Sequence, residues 1–271
     1  MPSLALSHSV TGPIDTSNRF RSLWISDLHL GVRTCHASPL LEFLAHTEAE
    51  YLYLVGDILD LWSLSGDWYW PDAHNQVMEA LWAKARAGTQ VIYIPGNHDE
   101  AMREFTGSRF GLFQIRAEVI HTTADNKHLW VTHGDAVDAL VRHNILVSHL
   151  GDGAYDLIQS INRGLNQLRR IVGFPYWSLS GYLKQRVGKA VRHIAHFETV
   201  LAREAAYRGL DGVICGHIHK PAFGVREGVL YANTGDWVEN CTALAEYSDG
   251  RLSLLQWDID HQHALLLTQN D

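Results

Sequence analysis

Five polar clusters along the chain contain the residue types that bind metal ions, and each follows a short apolar run. Residues 95–99 read Pro-Gly-Asn-His-Asp and come directly after Val-Ile-Tyr-Ile. Similar clusters of aspartate, asparagine, histidine and glycine lie at 26–31, 56–60, 132–135 and 216–219. An apolar run that stops at such residues is typical of a strand ending in a loop at the edge of a sheet. Because the pattern occurs five times, it indicates a metal site built on strand ends.

Seven side chains in these clusters are candidate metal ligands. Asp27 and His29 are two positions apart, so on an extended strand end their side chains point to the same side, and the same holds for His217 and His219. The full set is Asp27, His29, Asp57, Asn97, His133, His217 and His219. Seven ligands exceed what one tetrahedral zinc ion takes, but they suit two ions that share a carboxylate.

The ligand set combines imidazole, carboxylate and amide oxygen and includes no thiolate, a mixture that suits manganese, iron or zinc. Two such ions about 3.5–4 Å apart can ionise a bridging water and clamp the oxygens of an in-line phosphoryl displacement. The clusters therefore predict a hydrolase of phosphoester or pyrophosphate bonds. We expect two divalent ions as cofactors, Mn²⁺ first, with iron or zinc as alternatives.

The elements that must position the clusters alternate between strand and helix patterns. A strand–helix–strand–helix–strand order favours parallel strands with right-handed crossovers. In such sheets the functional loops gather at the carboxyl ends of the strands. The predicted strands are 23–25, 51–55 and 91–94, and the predicted helices begin at Ser38 and cover 72–86.

Three parts are predicted along the chain. Residues 1–21 form a loose leader, 22–137 and 201–260 form one core, and 138–200 form an inserted helical cap, since that stretch has helical periodicity and no convincing strand. A helix at about 196–208 returns to the core. The strand patterns after residue 222 predict a second, more antiparallel sheet.

Composition limits the classes of protein. The chain has 271 residues, of which 46% are hydrophobic and 19% charged, which suits one large α/β domain with a sizeable insertion. We expect neither a signal peptide nor a membrane-spanning segment, because the sequence shows neither the pattern of the first nor an apolar run of the length needed for the second. Three unclustered cysteines are typical of reduced thiols. We therefore expect a cytoplasmic protein that contacts at most the inner face of the membrane.

The charge is distributed unevenly. The net charge of −8 argues against general nucleic-acid binding. Residues 138–200 carry eight Arg or Lys residues and four acidic residues, a balance of +4 that leaves −12 for the rest of the chain. Basic and apolar residues alternate in this insert, as a phosphate-bearing lipid or a membrane surface would require. The alternative is that the apolar residues pack only the insert's own core.

Candidate substrate contacts lie next to the first cluster and in the insert: Arg33, Arg169, Arg170 and Lys184. An aromatic run that includes Trp62 and Trp68 is either a substrate platform or a cover for the surface. Histidines outside the five clusters, His121 among them, are expected to be structural.

Taken in order, the five clusters resemble those of the calcineurin-like metallophosphoesterases over about residues 22–236. The fourth cluster differs from the family pattern, because it reads His133-Gly134-Asp135 where the family has a spaced Gly-His. The resemblance implies an α/β fold, a two-sheet α/β/β/α sandwich with an inserted cap. It also implies ligand sets and roles: one ion held by Asp27, His29, Asp57 and His219, the other by Asp57, Asn97, His133 and His217, and His98 as the catalytic group on the phosphate, oriented by Asp60.

Within this superfamily the chain resembles the UDP-2,3-diacylglucosamine diphosphatases of lipid A biosynthesis. Ser-Asp-Leu-His-Leu-Gly, Gly-Asp-Ile-Leu-Asp-Leu-Trp, the helical insert and Gly-His-Ile-His-Lys-Pro carry the similarity. The chain departs from them at His98, where those enzymes have arginine, and in an insert without their Ser/Asn/Lys-rich stretch. A paralogous subgroup that acts on a nucleotide-linked lipid is the expectation; the oligomeric state is not predicted.

Two other functions stay open. A phosphodiesterase acting on another nucleotide or on nucleic acid would suit the clusters and the basic cap, although the acidic body would repel a long polyanion. A non-catalytic metal-binding scaffold would be expected to have lost ligands, and all seven are present. Leu61 and Trp62 stand where serine/threonine phosphatases and bis-nucleoside tetraphosphatases have Arg-Gly, which argues against both.

Overall fold

A computed structural model describes residues 19–66, 68–139, 179–260 and 263–269 of the chain, with side chains from residue 191 onward in its long helix. The chain divides into two compact units, one of Met1–Asp135 with Leu201–Asp271 and one of Ala136–Val200. The polar clusters all lie in the first unit.

The described residues form thirteen strands, four α-helices and one 3₁₀ helix. The strands are β1 (Arg19–Ile25), β2 (Glu48–Val55), β3 (Gln90–Ile94), β4 (Arg109–Phe110), β5 (Phe113–Ile115), β6 (Val119–Thr122), β7 (His128–Val131), β8 (Gly212–Cys215), β9 (Ala222–Arg226), β10 (Val229–Asn233), β11 (Thr242–Glu246), β12 (Leu252–Asp258) and β13 (His263–Gln269). The helices are α1 (Ala37–His46), α2 (Leu61–Gly66), α3 (Asp72–Arg86), the 3₁₀ helix Glu100–Phe105 and α4 (Leu179–Tyr207). A helical turn also begins at Asp135.

The first sheet has eight strands in the order β13-β12-β11-β1-β2-β3-β5-β4. Strands β1, β2, β3 and β5 are parallel, which confirms the parallel core predicted from the alternating pattern. On the other side of β1, strands β11, β12 and β13 continue the sheet in antiparallel pairing. The strands that precede the first three polar clusters are therefore direct neighbours.

The second sheet has five strands in the order β6-β7-β8-β10-β9. Its three central strands are parallel, and its two edge strands are antiparallel to them. The prediction that all strands after residue 222 form this sheet was wrong, because β11 to β13 extend the first sheet instead. Every residue of β11 is buried, so this strand needs a covered sheet on both faces, and its place beside β1 provides that.

Two apolar cores cover the two faces of the first sheet. One lies between the sheets and contains Trp24 and Ile92 of the first with Val131 and Ile214 of the second. The other lies on the opposite face, where α1 and α3 pack side chains such as Phe43 and Leu81. The predicted α/β class with two sheets is therefore confirmed.

Several boundaries differ from the prediction. Strand β1 begins at Arg19, inside the predicted leader of 1–21, because Arg19 and Phe20 pair with β2 and Phe20 is buried. Helix α4 begins well before the predicted residue 196. Strand β13 lies beyond the predicted end of the core at 260. Strands β4 to β6 have only two to four residues and too little periodicity to be predicted.

The second unit is described only at its ends. There Oδ1 of Asp138 lies 2.8 Å from Nε2 of His193. Residues 140–178, which make up most of the predicted cap of 138–200, lie outside the described residues, so the cap stays a prediction. Among the described helices, none combines the length and the apolar character needed to cross a membrane.

Candidate metal centre and active site

Strand ends from both sheets deliver the predicted ligands to one place. Strands β1, β2 and β3 of the first sheet lead into Asp27, Asp57 and Asn97, and β7 and β8 of the second lead into His133 and His217. Six of the seven predicted ligands fall into two groups whose ligand atoms lie within 4.8 Å of one another: Asp27, His29 and His219, and Asp57, His133 and His217.

The first group is centred on Asp27. Its Oδ1 lies 3.3 Å from Nε2 of His219 and 4.0 Å from Nε2 of His29. The two imidazole Nε2 atoms are 3.2 Å apart. One carboxylate oxygen and two ring nitrogens therefore converge on a single point, as the ligands of one ion must.

The second group is joined to the first by Asp57. Its Oδ2 lies 3.4 Å from Nε2 of His133 and 3.8 Å from Nε2 of His29 in the first group. The rings of His133 and His217 are 5.1 Å apart between centroids. A single oxygen of Asp57 is thus within reach of both groups, which is the position that a bridging carboxylate would occupy.

Three buried atoms of the candidate ligands lack a partner. Oδ1 of Asp27, Oδ1 of Asn97 and Nε2 of His133 have no hydrogen bond of acceptable geometry with any described residue. Leaving a polar atom buried and unpaired costs about 1–3 kcal/mol. All three are metal-ligand atom types, and Asp27 Oδ1 and His133 Nε2 lie within the two ligand groups, so the donor set fits divalent ions.

The backbone at this cluster adopts an uncommon conformation. Five candidate ligands have positive φ angles: 52° at Asp27, 48° at His29, 53° at Asp57, 72° at His217 and 51° at His219. Non-glycine residues rarely adopt this left-handed region, and holding one there costs of order 1–3 kcal/mol. Such strain concentrates at functional sites, where the surrounding structure imposes it for a purpose.

The glycines of the clusters make room for the ligands. A Cβ atom at Gly96 would collide with the carboxylate of Asp57 and the imidazole of His133. A Cβ atom at Gly216 would collide with the carboxylate of Asp27. The recurrence of glycine beside the predicted ligands therefore reflects close approach between the strand-end loops.

Asp60 and Trp62 surround His98. Oδ2 of Asp60 lies 2.9 Å from Nδ1 of His98, without hydrogen-bond alignment, and 3.0 Å from Nδ1 of His29. The indole of Trp62 packs on the His98 ring with centroids 4.1 Å apart, while about half of its own surface stays exposed. The predicted catalytic pair is therefore adjacent to the cluster, and one carboxylate contacts both histidines.

Burial and charge shift the pKa values of these groups. Burial alone would raise the pKa of Asp27, but His219 and His133 lower it below its ordinary value. Burial likewise opposes ionisation of Asp57, yet the contact with His133 brings its pKa well below the usual range. Burial would lower the pKa of His133, whereas Asp57 and Asp27 raise it to about 10. The buried carboxylates thus favour a positive charge among them, which a divalent cation would supply.

No described contact places the predicted substrate-binding residues next to the metal-ligand groups. Arg33 is exposed, with its guanidinium 4.4 Å from the centre of the Tyr69 ring. Arg169 and Arg170 lie outside the described residues, and Lys184 lies in the part of α4 whose side chains are not described. Their roles stay predictions.

Two supporting residues were missed in the sequence. Ser26 bonds to the carboxylate of Asp27 and lies 2.6 Å from the hydroxyl of Thr234. Asp236 is buried, with Oδ2 3.9 Å from Nδ1 of His219. The signal that could have found Asp236 was present, since β10 also ends in polar residues and a glycine, Thr-Gly-Asp.

Known proteins are similar to most of the chain. The calcineurin-like phosphoesterase family matches residues 20–221, a span that contains all seven predicted ligands. The UDP-2,3-diacylglucosamine hydrolase of Aromatoleum aromaticum is 31% identical over 248 residues, covering 88% of this chain and 93% of the relative. A protein of the same name from Xanthomonas campestris pv. campestris (strain B100) is 28% identical and covers 84% and 96%.

Solved structures are similar over nearly the whole chain. Yfce, a phosphoesterase from E. coli, matches with a TM-score of 0.46 at 16% identity and covers 92% of this chain and 97% of that one. A single mutant of Vps29 from Entamoeba histolytica matches with the same TM-score at 15% identity and covers 92% and 98%.

Proposed function

The chain belongs to the calcineurin-like phosphoesterase family of dinuclear metal-dependent phosphoester hydrolases, and on that premise we propose that it hydrolyses the pyrophosphate bond of a nucleotide-linked lipid. The substrate class we favour is UDP-2,3-diacylglucosamine or a close analogue. The observation that carries the proposal is the set of unpaired buried ligand atoms, with Asp57 Oδ2 between the two ligand groups.

Seven side chains would hold the two ions in this proposal. The first ion takes Asp27, His29, Asp57 and His219, and the second takes Asp57, Asn97, His133 and His217. Mn²⁺ is the expected metal, since imidazole, carboxylate and amide oxygens suit it and no thiolate takes part. When bound, the ions would supply a nucleophilic hydroxide at neutral pH and neutralise charge on the phosphoryl oxygens.

The chain's own residues then complete the reaction. Nδ1 of His98 is turned toward Asp60, so Nε2 is the atom left to donate a proton or a hydrogen bond to the leaving oxygen. Asp60 orients His98 and His29 together. Trp62 packs on the His98 ring with centroids 4.1 Å apart, which restricts the orientations open to that ring. The main-chain N–H of His98 donates to Asp57 Oδ1 at 2.8 Å, which orients the proposed bridging carboxylate.

The choice of a lipid-bearing substrate rests on the relatives and on the charge of the insert. Both curated relatives described above are named as hydrolases of UDP-2,3-diacylglucosamine. The insert of residues 138–200 alternates basic with apolar residues. In this proposal the insert binds the acyl chains and phosphates and contacts the inner membrane face, with Arg33, Arg169, Arg170 and Lys184 as substrate contacts.

Turnover assays test the reaction and the substrate together. The purified protein with Mn²⁺ would be given UDP-2,3-diacylglucosamine, UDP-N-acetylglucosamine without acyl chains, and bis(p-nitrophenyl) phosphate. We expect release of UMP from the lipidated nucleotide to be the fastest reaction and chelator to abolish it. Equal turnover of the nucleotide without chains would contradict the lipid part, and turnover of the phosphodiester alone would favour the other phosphodiesterase function.

Membrane contact has a separate test. Exposed charges interact only within a Debye length of about 8 Å at physiological ionic strength. Co-sedimentation with anionic liposomes should therefore weaken as salt rises, and Arg169→Ser with Arg170→Ser should weaken it at low salt. If wild type and variant both stayed in the supernatant at low salt, the membrane contact would be refuted and the hydrolase would remain.

A further inference from the structure

A buried carboxylate joins the loops that follow β2 and β3. Asp99 is fully buried. Its Oδ1 accepts from the backbone N–H of Gly96 at 2.6 Å and of Asp57 at 3.3 Å. Its Oδ2 accepts from the backbone N–H of Ile58 at 2.8 Å and of Leu59 at 3.3 Å. One side chain thereby ties together the two loops that carry Asp57 and Asn97.

Asp99 is itself held by a tyrosine of the sheet. The hydroxyl of Tyr93 donates to Asp99 Oδ2. Tyr93 lies in β3, where its backbone pairs with Leu54 and Ile115 on either side, and only 3% of its surface is exposed. The ring is part of the apolar core on the helix-covered face. The hydroxyl therefore joins a fixed point of the sheet to a carboxylate at the edge of the metal cluster.

We infer that Tyr93, which lies outside every polar cluster, is a positioning residue for the metal ligands Asp57 and Asn97 and acts through Asp99. The inference rests on the proposed function, since it assumes that these two side chains bind metal. Asp57 has a left-handed backbone with φ of 53°, a conformation that outside contacts must impose. The four N–H groups on Asp99 are such contacts, and the hydroxyl of Tyr93 fixes the rotation of the carboxylate that receives them.

The opposite face of the same sheet offers a matched control. Tyr53 of β2 is also 3% exposed, and its hydroxyl lies 2.8 Å from Nδ1 of His121, away from the metal cluster. It belongs to the core between the two sheets. Replacing either tyrosine by phenylalanine removes one buried hydroxyl from a strand. The two changes differ in the partner of that hydroxyl, which is the carboxylate of Asp99 for Tyr93 and the imidazole of His121 for Tyr53.

The experiment compares Tyr93→Phe with Tyr53→Phe by calorimetric titration of metal-free protein with Mn²⁺. Mutating a residue that orients a metal ligand by hydrogen bonding typically lowers metal affinity 10- to 100-fold. Because Asp99 keeps its four backbone donors, we expect Tyr93→Phe to weaken Mn²⁺ binding about tenfold. Tyr53→Phe should bind Mn²⁺ with wild-type affinity.

A purely structural role for Tyr93 would give the opposite pattern, a lower melting temperature with unchanged Mn²⁺ affinity, and that result would overturn the inference. Equal weakening by Tyr53→Phe would overturn it as well. If Tyr93→Phe failed to fold, Asp99→Asn would be titrated instead, with about a 100-fold loss expected; wild-type affinity there would refute the inference. Absence of Mn²⁺ binding by wild type would overturn the proposed function together with this inference, so the two failures are distinguishable.

Discussion

Two buried polar clusters in this molecule have similar composition and opposite states of satisfaction. The strand-end cluster of predicted ligands leaves three buried atoms without partners. The second cluster, called the paired cluster here, consists of Arg21, Ser22, Tyr53, His121 and Glu246. Both combine histidine with a buried carboxylate, so residue type alone does not separate a site from a structural network.

In the paired cluster every oxygen of the buried carboxylate is used. Glu246 accepts hydrogen bonds from Arg21 at 2.8 Å, from Ser22 at 2.7 Å and from the backbone N–H of Ala124 at 2.7 Å. Nε2 of His121 lies 2.9 Å from the same carboxylate, and its Nδ1 faces the hydroxyl of Tyr53. A network satisfied in this way stabilises the fold and has no capacity left for a ligand.

The two clusters also differ in backbone conformation. All members of the paired cluster lie on regular strands, and none has a positive φ angle. Five members of the strand-end cluster have one. The protein therefore holds strained backbone and unpaired atoms in one place, and this combination supports the proposed metal centre.

Removing the bridging charge should have the largest effect. Asp57→Asn takes away a carboxylate whose Oδ2 lies within reach of both ligand groups, so we expect kcat to fall about 10³-fold or more, the upper end for a single electrostatic group. Asp249→Asn makes the same change at an exposed turn and should keep full activity. Steady-state kinetics with saturating Mn²⁺ measures both; wild-type turnover by Asp57→Asn would refute the bridging role.

His98→Ala should reduce kcat about 10²- to 10⁴-fold, because a general acid or charge-stabilising group typically contributes in that range. Both metal ions should remain bound, since His98 is not among the proposed ligands. Elemental analysis beside the kinetics decides between a catalytic and a ligand role. A variant that had lost an ion would show that the role of His98 was misassigned.

The paired cluster should respond in stability and leave the chemistry intact. Glu246→Gln leaves Arg21 facing a neutral group, and we expect about 2–3 kcal/mol less free energy of unfolding, because breaking a buried pair by removing one partner is strongly destabilising and Arg21 retains some access to water. Urea unfolding measures the loss. Specific activity of the folded variant should equal wild type; a loss comparable to that of Asp57→Asn would erase the contrast between the clusters.

The carboxylate of Glu246 also predicts that the free energy of unfolding depends on pH, and this effect is the smallest of those predicted. Burial raises the pKa of Glu246, but hydrogen bonds from His121, Ser22 and the backbone of Ala124 lower it below its ordinary value. A lowered folded pKa contributes stability that is present above the unfolded value, about 4.3, and is lost as pH falls through the folded value. The stability difference between wild type and Glu246→Gln should therefore be full at pH 6 and shrink below about pH 4.5. A difference independent of pH between 6 and 3 would contradict this account.

Local sequence patterns predicted the strand-end cluster, and long-range pairing limited the rest. Asp27 and His29 were predictable because an apolar strand and a polar loop are adjacent in sequence. The place of β11 beside β1 was not, since it depends on residues more than two hundred positions apart that cover both faces of one strand. Likewise, no sequence pattern distinguishes His121 of the paired cluster from His133 of the site. Only the count of partners around each ring does.

Metal content of the wild-type protein tests the central claim most directly. The chain would be stripped with chelator, dialysed against Mn²⁺ at several free concentrations and analysed for bound metal and for UMP release in the same samples. The account predicts saturation at two ions per chain, with turnover absent in the stripped protein and restored as the ions bind. Full turnover by metal-free protein would contradict it, and so would the absence of any bound ion at saturating concentrations of Mn²⁺.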